Sequence, residues 1–192
     1  MELGKIRGFL FNPARQFGAA KGDSLSDAFK YFLSLLAALG AVFGIVVAAA
    51  VSIATAVVEL PEMPFPVSTA ALGPLLGAGI FVAVVAAGVL LALYISVWLH
   101  IWVHLFGGRK GLTQTVKAVT YGATPCLVLG WLPGPNILVG PILSLLAGIN
   151  GVAELHELSP GMAILAVLAA ILVPVLAVAA VAAVVVPLLL PC

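Results

Sequence analysis

The chain has 192 residues, of which 64% are hydrophobic and 8% charged, with a net charge of +1; soluble domains carry about 25% charged residues. A mean hydropathy of +1.29 excludes a water-soluble fold, because a domain of this length has too little interior to hide so much Ala, Val, Leu and Ile. The net charge of +1 says nothing about nucleic acid; the few cations serve orientation, and no nucleic-acid partner is expected.

In chain order, residues 1–27 read as a cytoplasmic amphipathic segment. Asn12-Pro13 is a helix start, and Phe9, Phe11 and Phe17 interleave with Arg7, Arg15 and Lys21, the pattern of a short interfacial helix on the inner leaflet. Residues 28–192 read as an all-α integral membrane bundle of five transmembrane helices. The first span covers about 28–58; Asp23 and Ser24 are candidate N-caps, and Asp27, three residues after Ser24, completes a capping box. Its length exceeds that of a signal-peptide core, so it reads as an anchored span. The loop Glu59-Leu-Pro-Glu-Met-Pro-Phe-Pro66 cannot continue either helix. The second span covers about 72–106, with Pro74 near its start and Gly73-x-x-x-Gly77 fit for close helix packing. The third (about 117–132) and fourth (about 137–153) are short and joined by Pro133-Gly-Pro-Asn136, so they form either a full hairpin or a shallow re-entrant pair. The fifth covers about 160–187.

Cations orient the bundle. Lys5, Arg7, Arg15, Lys21 and Lys30 stand at or before the start of the first span, and Arg109, Lys110 and Lys117 follow the second. Glu59 and Glu62 lie in the intervening loop, which carries no cation. The positive-inside rule puts the N-terminus in the cytoplasm, keeps the long second stretch as one helix and, with five spans, places the C-terminus outside.

Polar residues in the spans supply the candidate sites. His100 and His104 share one helix face at the cytoplasmic end of the second span. Glu154, His156 and Glu157 fall at the same depth after the fourth. Together His100, His104, Glu154 and His156 make a candidate Zn²⁺ ligand set. Trp98 and Trp102 beside the histidines also fit an ordinary interface belt. Gly107, Gly108, Arg109 and Lys110 are a candidate lipid-phosphate contact, in which a glycine turn presents amide N–H groups and two cations approach an anionic leaflet. Asn150 reads as an amide bonding between helices. Pro125 and Pro174 free the carbonyls of Tyr121 and Ala170. Cys126 and Cys192 are not expected to pair. Phosphate-loop, dinucleotide and hydrolase motifs are absent, so an enzyme is not expected.

The stretches His104-Leu-Phe-Gly-Gly-Arg-Lys-Gly-Leu-Thr-Gln-Thr115, Tyr121-Gly-Ala-Thr-Pro125 and Gly151-Val-Ala-Glu-Leu-His-Glu-Leu-Ser-Pro-Gly-Met-Ala163, with the opening Asn12-Pro13, resemble the Yip (Ypt/Rab-GTPase-interacting protein) membrane domain family. The chain is most similar to a minimal prokaryotic or archaeal-type member. The resemblance implies five spans and a cytoplasmic N-terminus. Eukaryotic members bind small GTPases and act in vesicle traffic. Here only about 27 residues precede the first span, and small-GTPase binding is not expected. The leading expectation is a non-enzymatic membrane scaffold or organiser that acts through membrane lipids and helix contacts, with a second copy or another membrane protein as partner. The alternatives are a channel or small-solute transporter, and a metal-binding membrane protein using the His/Glu cluster.

Overall fold

The computed structural model describes residues 3–58 and 68–189. Glu59, Glu62 and Cys192 lie outside the described residues. The chain forms α1 (Leu3–Phe11), α2 (Pro13–Ala19), a 3₁₀ turn (Ala20–Gly22), α3 (Leu25–Val57), α4 (Thr69–Leu105), α5 (Leu112–Gly122), α6 (Thr124–Leu129), α7 (Val139–His156) and α8 (Pro160–Leu189).

Local chemistry accounts for the ends. Ser24 and Asp27 close a reciprocal capping box at the start of α3. Pro13 and Pro160 occupy first helical positions, where a missing N–H costs nothing. The second span begins at Thr69, so Pro74 sits inside α4 rather than at its start. Helix α4 ends where Gly107 turns to φ +99°. The N–H of Gly108 bonds to the Val103 carbonyl at 2.8 Å and that of Gly107 to His104 at 3.2 Å, a Schellman end.

The expected five spans are corrected to four candidates. Among the described residues, α3, α4, α7 and α8 are long and apolar enough to cross a membrane. The third expected span is two short helices of 11 and 6 residues. The break has a local cause: Pro125 has no N–H to continue the ladder from α5. The polar face of α5 is also turned inward, with Thr115, Lys117 and Thr120 all buried. Nor is the N-terminal segment a single helix. Its two helices pack on α6 and α7, with Phe9 and Phe17 only 1% and 0% exposed while Phe11 is 80% exposed.

Helices α3 and α4 are the longest pair. At 1.5 Å per residue each runs about 50 Å, beyond the ~30 Å hydrocarbon core. They touch backbone to backbone along a stripe of small residues. A Cβ on Gly77 would lie 2.5 Å from the Gly44 carbonyl oxygen, and one on Gly73 would lie 2.7 Å from that of Ala48. The α5–α7 hairpin is shorter. Gly130, at its turn, lies against Leu39 near the middle of α3. Contacts run in a closed circuit: α3 to α4, α4 to α8, α8 to α7, α7 to α5 and α6, and these back to α3.

Candidate functional site

Polar chemistry gathers at the end of the bundle where α3, α5 and α8 begin and α4 and α7 finish. Its base is an aromatic cluster. The ring of Phe9 stacks on Tyr121 at 4.7 Å and meets Phe17 edge-on at 4.9 Å; Tyr31 lies 5.3 Å from Tyr121. Gly151 makes room for Phe17, whose ring would lie 2.8 Å from a Cβ at that position. The Tyr121 hydroxyl donates to Asp23 at 2.5 Å, and Lys5 pairs with the same carboxylate oxygen at 3.1 Å. Lys117 is 1% exposed and donates to the Lys21 carbonyl at 3.0 Å. These bonds fasten the N-terminal segment to α5.

A second layer joins three helix ends. The fully buried Thr115 hydroxyl lies 2.8 Å from His100 Nδ1 and 3.0 Å from His156 Nε2. A hydroxyl has one proton and two lone pairs, so this oxygen serves both imidazoles at once. The two rings, 6.1 Å apart between centroids, are therefore bridged through α5.

The sequence-derived candidates separate here. His104 faces Arg109, whose guanidinium donates to Nε2 at 2.6 Å. Glu154 pairs with Lys21 at 3.6 Å, and Glu157 with Lys110 at 2.6 Å. No group of three His, Cys, Asp or Glu side chains is placed to hold a metal ion among the described residues. Of the set His100, His104, Glu154 and His156, His100 and His156 share Thr115, His104 lies against Arg109 and Glu154 pairs with Lys21. Glu157 is the lone non-glycine residue with positive φ (57°) among the described residues, at the end of α7. The hydrogen bond from Lys110 holds its carboxyl below the ordinary carboxylate range. This pair ties the α4–α5 loop to the α7–α8 loop. In the first loop the N–H groups of Gly107 and Gly108 are bonded to α4 carbonyls. A phosphate there would be met by the side chains of Arg109 and Lys110, not by an open amide nest. Asn150 donates to Leu146 within its own helix at 2.7 Å, so it does not join two helices.

Both proline-freed carbonyls are recaptured. The Thr124 hydroxyl donates to Tyr121 O at 2.6 Å, and the Tyr31 hydroxyl reaches Thr124 Oγ1 at 3.1 Å. The indole N–H of Trp98 donates to Ala170 O at 2.8 Å. Sequence reasoning named the freed carbonyls but not their donors. Thr115 and Asp23 also went unassigned as site residues, although Thr115 closes one of the quoted stretches. All three quoted stretches meet at this end of the bundle.

Helices of this length and apolarity, ringed around an interior whose polar groups collect at one end, define a polytopic α-helical membrane protein. The Yip1 domain model matches residues 7–182, and the chain belongs to that family. No match was found among curated proteins or among solved structures.

Proposed function

We propose that this Yip1-domain protein is a non-enzymatic membrane organiser that acts through lipid and helix contacts, with its N-terminus in the cytoplasm and the far end of α8 on the opposite face. The observation that carries this reading is the state of the interior. Among the described residues, no Asp, Glu, Lys or Arg lies in α4 or α8, in α3 beyond Lys30, or in α7 before Glu154. The carbonyls that Pro125 and Pro174 release are bonded to Thr124 and Trp98. A coupled transporter needs charged side chains at membrane depth, and among the described residues these four helices carry Asp, Glu, Lys or Arg only at their polar ends. The sidedness has support from the cations of both cytoplasmic segments, which converge: Lys117 on Lys21, Lys110 on Glu157 and Arg109 on His104 all lie at one end of the bundle.

The lipid contact belongs to the same end. Leu3 and Phe11 are exposed beside exposed Arg7 and Arg15, an outward face suited to an anionic leaflet. Arg109 and Lys110 add charge near it, each cation contributing about 1 kcal/mol close to such a surface. The test is reconstitution into vesicles of anionic phospholipid at graded protein loading, with vesicle diameter and release of entrapped ions measured together. An organiser changes diameter with loading and releases nothing above protein-free vesicles. Release that scales with protein would replace this reading with a channel.

A further inference from the structure

The ring of helices encloses a cavity of about 560 Å³, inside the span of about 300–1,000 Å³ typical of ligand pockets. We infer that it binds one hydrocarbon chain of a membrane lipid. This rests on the organiser reading only in taking lipid as what the protein acts on; the argument for the site is geometric.

The wall is drawn from α3, α4, α5, α6, α7 and α8, and it is apolar apart from Trp98, Cys126 and Ser144. Trp98 Nε1 already donates to Ala170 O, and Ser144 Oγ already accepts from the Cys126 N–H at 2.9 Å. A thiol is a weak donor. A sugar, nucleotide or ion entering here would give up its water and find little beyond one serine hydroxyl in return. A saturated chain gives up nothing.

The cavity is blind on the polar side. Leu99 and Ala118 line it there, and both belong to the same buried cluster as Tyr121, Phe17 and Phe9. Its rim is open on the other side: Leu91, Ile95, Leu145 and Ile171 are 57, 40, 37 and 42% exposed. These residues belong to α4, α7 and α8, the candidate spans, so the medium at the mouth is bilayer hydrocarbon. Left empty, the wall would forgo dispersion contacts on one side. The molecules at that mouth, at high concentration and with matching chemistry, are lipid chains.

Gly148 gives the experiment. It lines the cavity, and a Cβ built on it meets nothing within 4 Å, so a larger side chain there grows into the open volume. Gly79 on α4 is equally unobstructed but lies off the cavity wall, and serves as the control. With Trp102→Phe and Trp131→Phe, Trp98 becomes the sole indole. The protein is reconstituted in phospholipid carrying bromines at mid-chain, and quenching of Trp98 is measured. Gly148→Phe is expected to at least halve the quenching, and Gly79→Phe to leave it unchanged. Equal quenching in both variants, or an unquenched Trp98 in the parent, overturns the proposal. Should Gly148→Phe fail to fold, a phospholipid with a mid-chain diazirine replaces it. Attachment to the Leu91–Ile95 and Ser144–Gly148 segments supports the site. Attachment confined to the outer face of α8 beyond Val175, or cross-links to a second copy at the rim, overturns it. Vesicle diameter enters neither outcome, so this inference and the organiser reading can fail separately.

Discussion

Thr115 illustrates how one hydroxyl can decide the role of two histidines. His100 and His156 are on helices far apart in the chain, and each has a ring nitrogen within 3.0 Å of the same oxygen. Thr115→Val preserves the shape of the buried side chain but removes both bonds, leaving the buried His156 nitrogen unmatched. The expected cost is about 1–3 kcal/mol, read as a lower thermal unfolding midpoint in detergent. Adding His100→Ala in that background should cost less than His100→Ala alone, since the shared bond is already gone. Additive effects would show that the hydroxyl does not bridge the pair. Spacing alone made His100 and His104 look like one unit, because residues four apart share a helix face. The side chains part company because Arg109 takes His104 while Thr115 takes His100.

Among elements, α8 and α4 are joined by a bond that exists because of a proline. Pro174 cannot donate to Ala170, so that carbonyl is free to accept from Trp98 on α4. Trp98→Phe should leave it unsatisfied and cost about 1–3 kcal/mol. Pro174→Ala restores an N–H four residues on, and in the Trp98→Phe background it should recover part of that loss. If the double variant is no more stable than Trp98→Phe, the indole bond is not what holds the carbonyl. The same logic runs through α5 and α6, where Thr124 closes the gap left by Pro125. The prolines and the carbonyls they release were legible from sequence, because that geometry is local. The donors were not, since Trp98 stands 72 residues from Ala170.

For the whole molecule, the consequence of a short hairpin is topological. Gly130 meets Leu39 about 21 Å along α3, with more than half of that helix still ahead. The turn near Gly134 is therefore expected at membrane depth, while Gly108 is at the polar end. With Cys126 and Cys192 replaced, Arg109→Cys, at an exposed position of the α4–α5 loop, should react with an impermeant thiol reagent from the cytoplasmic side. Gly134→Cys should react from neither side. Labelling of Gly134→Cys from the external side would mean that α5, α6 and α7 reach across the bilayer.

Composition, the placement of eight cations and local start signals such as the capping box at Ser24 determined the membrane class, the sidedness expectation and the starts of α2, α3 and α8, because each depends on residue type or on neighbours within a few positions. Resemblance carried by three short stretches named the family that the domain match then established. What only the tertiary structure decided is which polar groups meet. Apolar length alone counts spans, and it miscounted where Pro125 divides α5 from α6 and where Thr115, Lys117 and Thr120 face inward. An interfacial pattern of Phe and Arg has the same sequence whether its aromatic face meets lipid or protein. Here Phe9 and Phe17 found Tyr31 and Tyr121 instead. The cavity is the furthest from sequence of all, since a void is a property of how helices distant in the chain stand apart, and no residue encodes it alone.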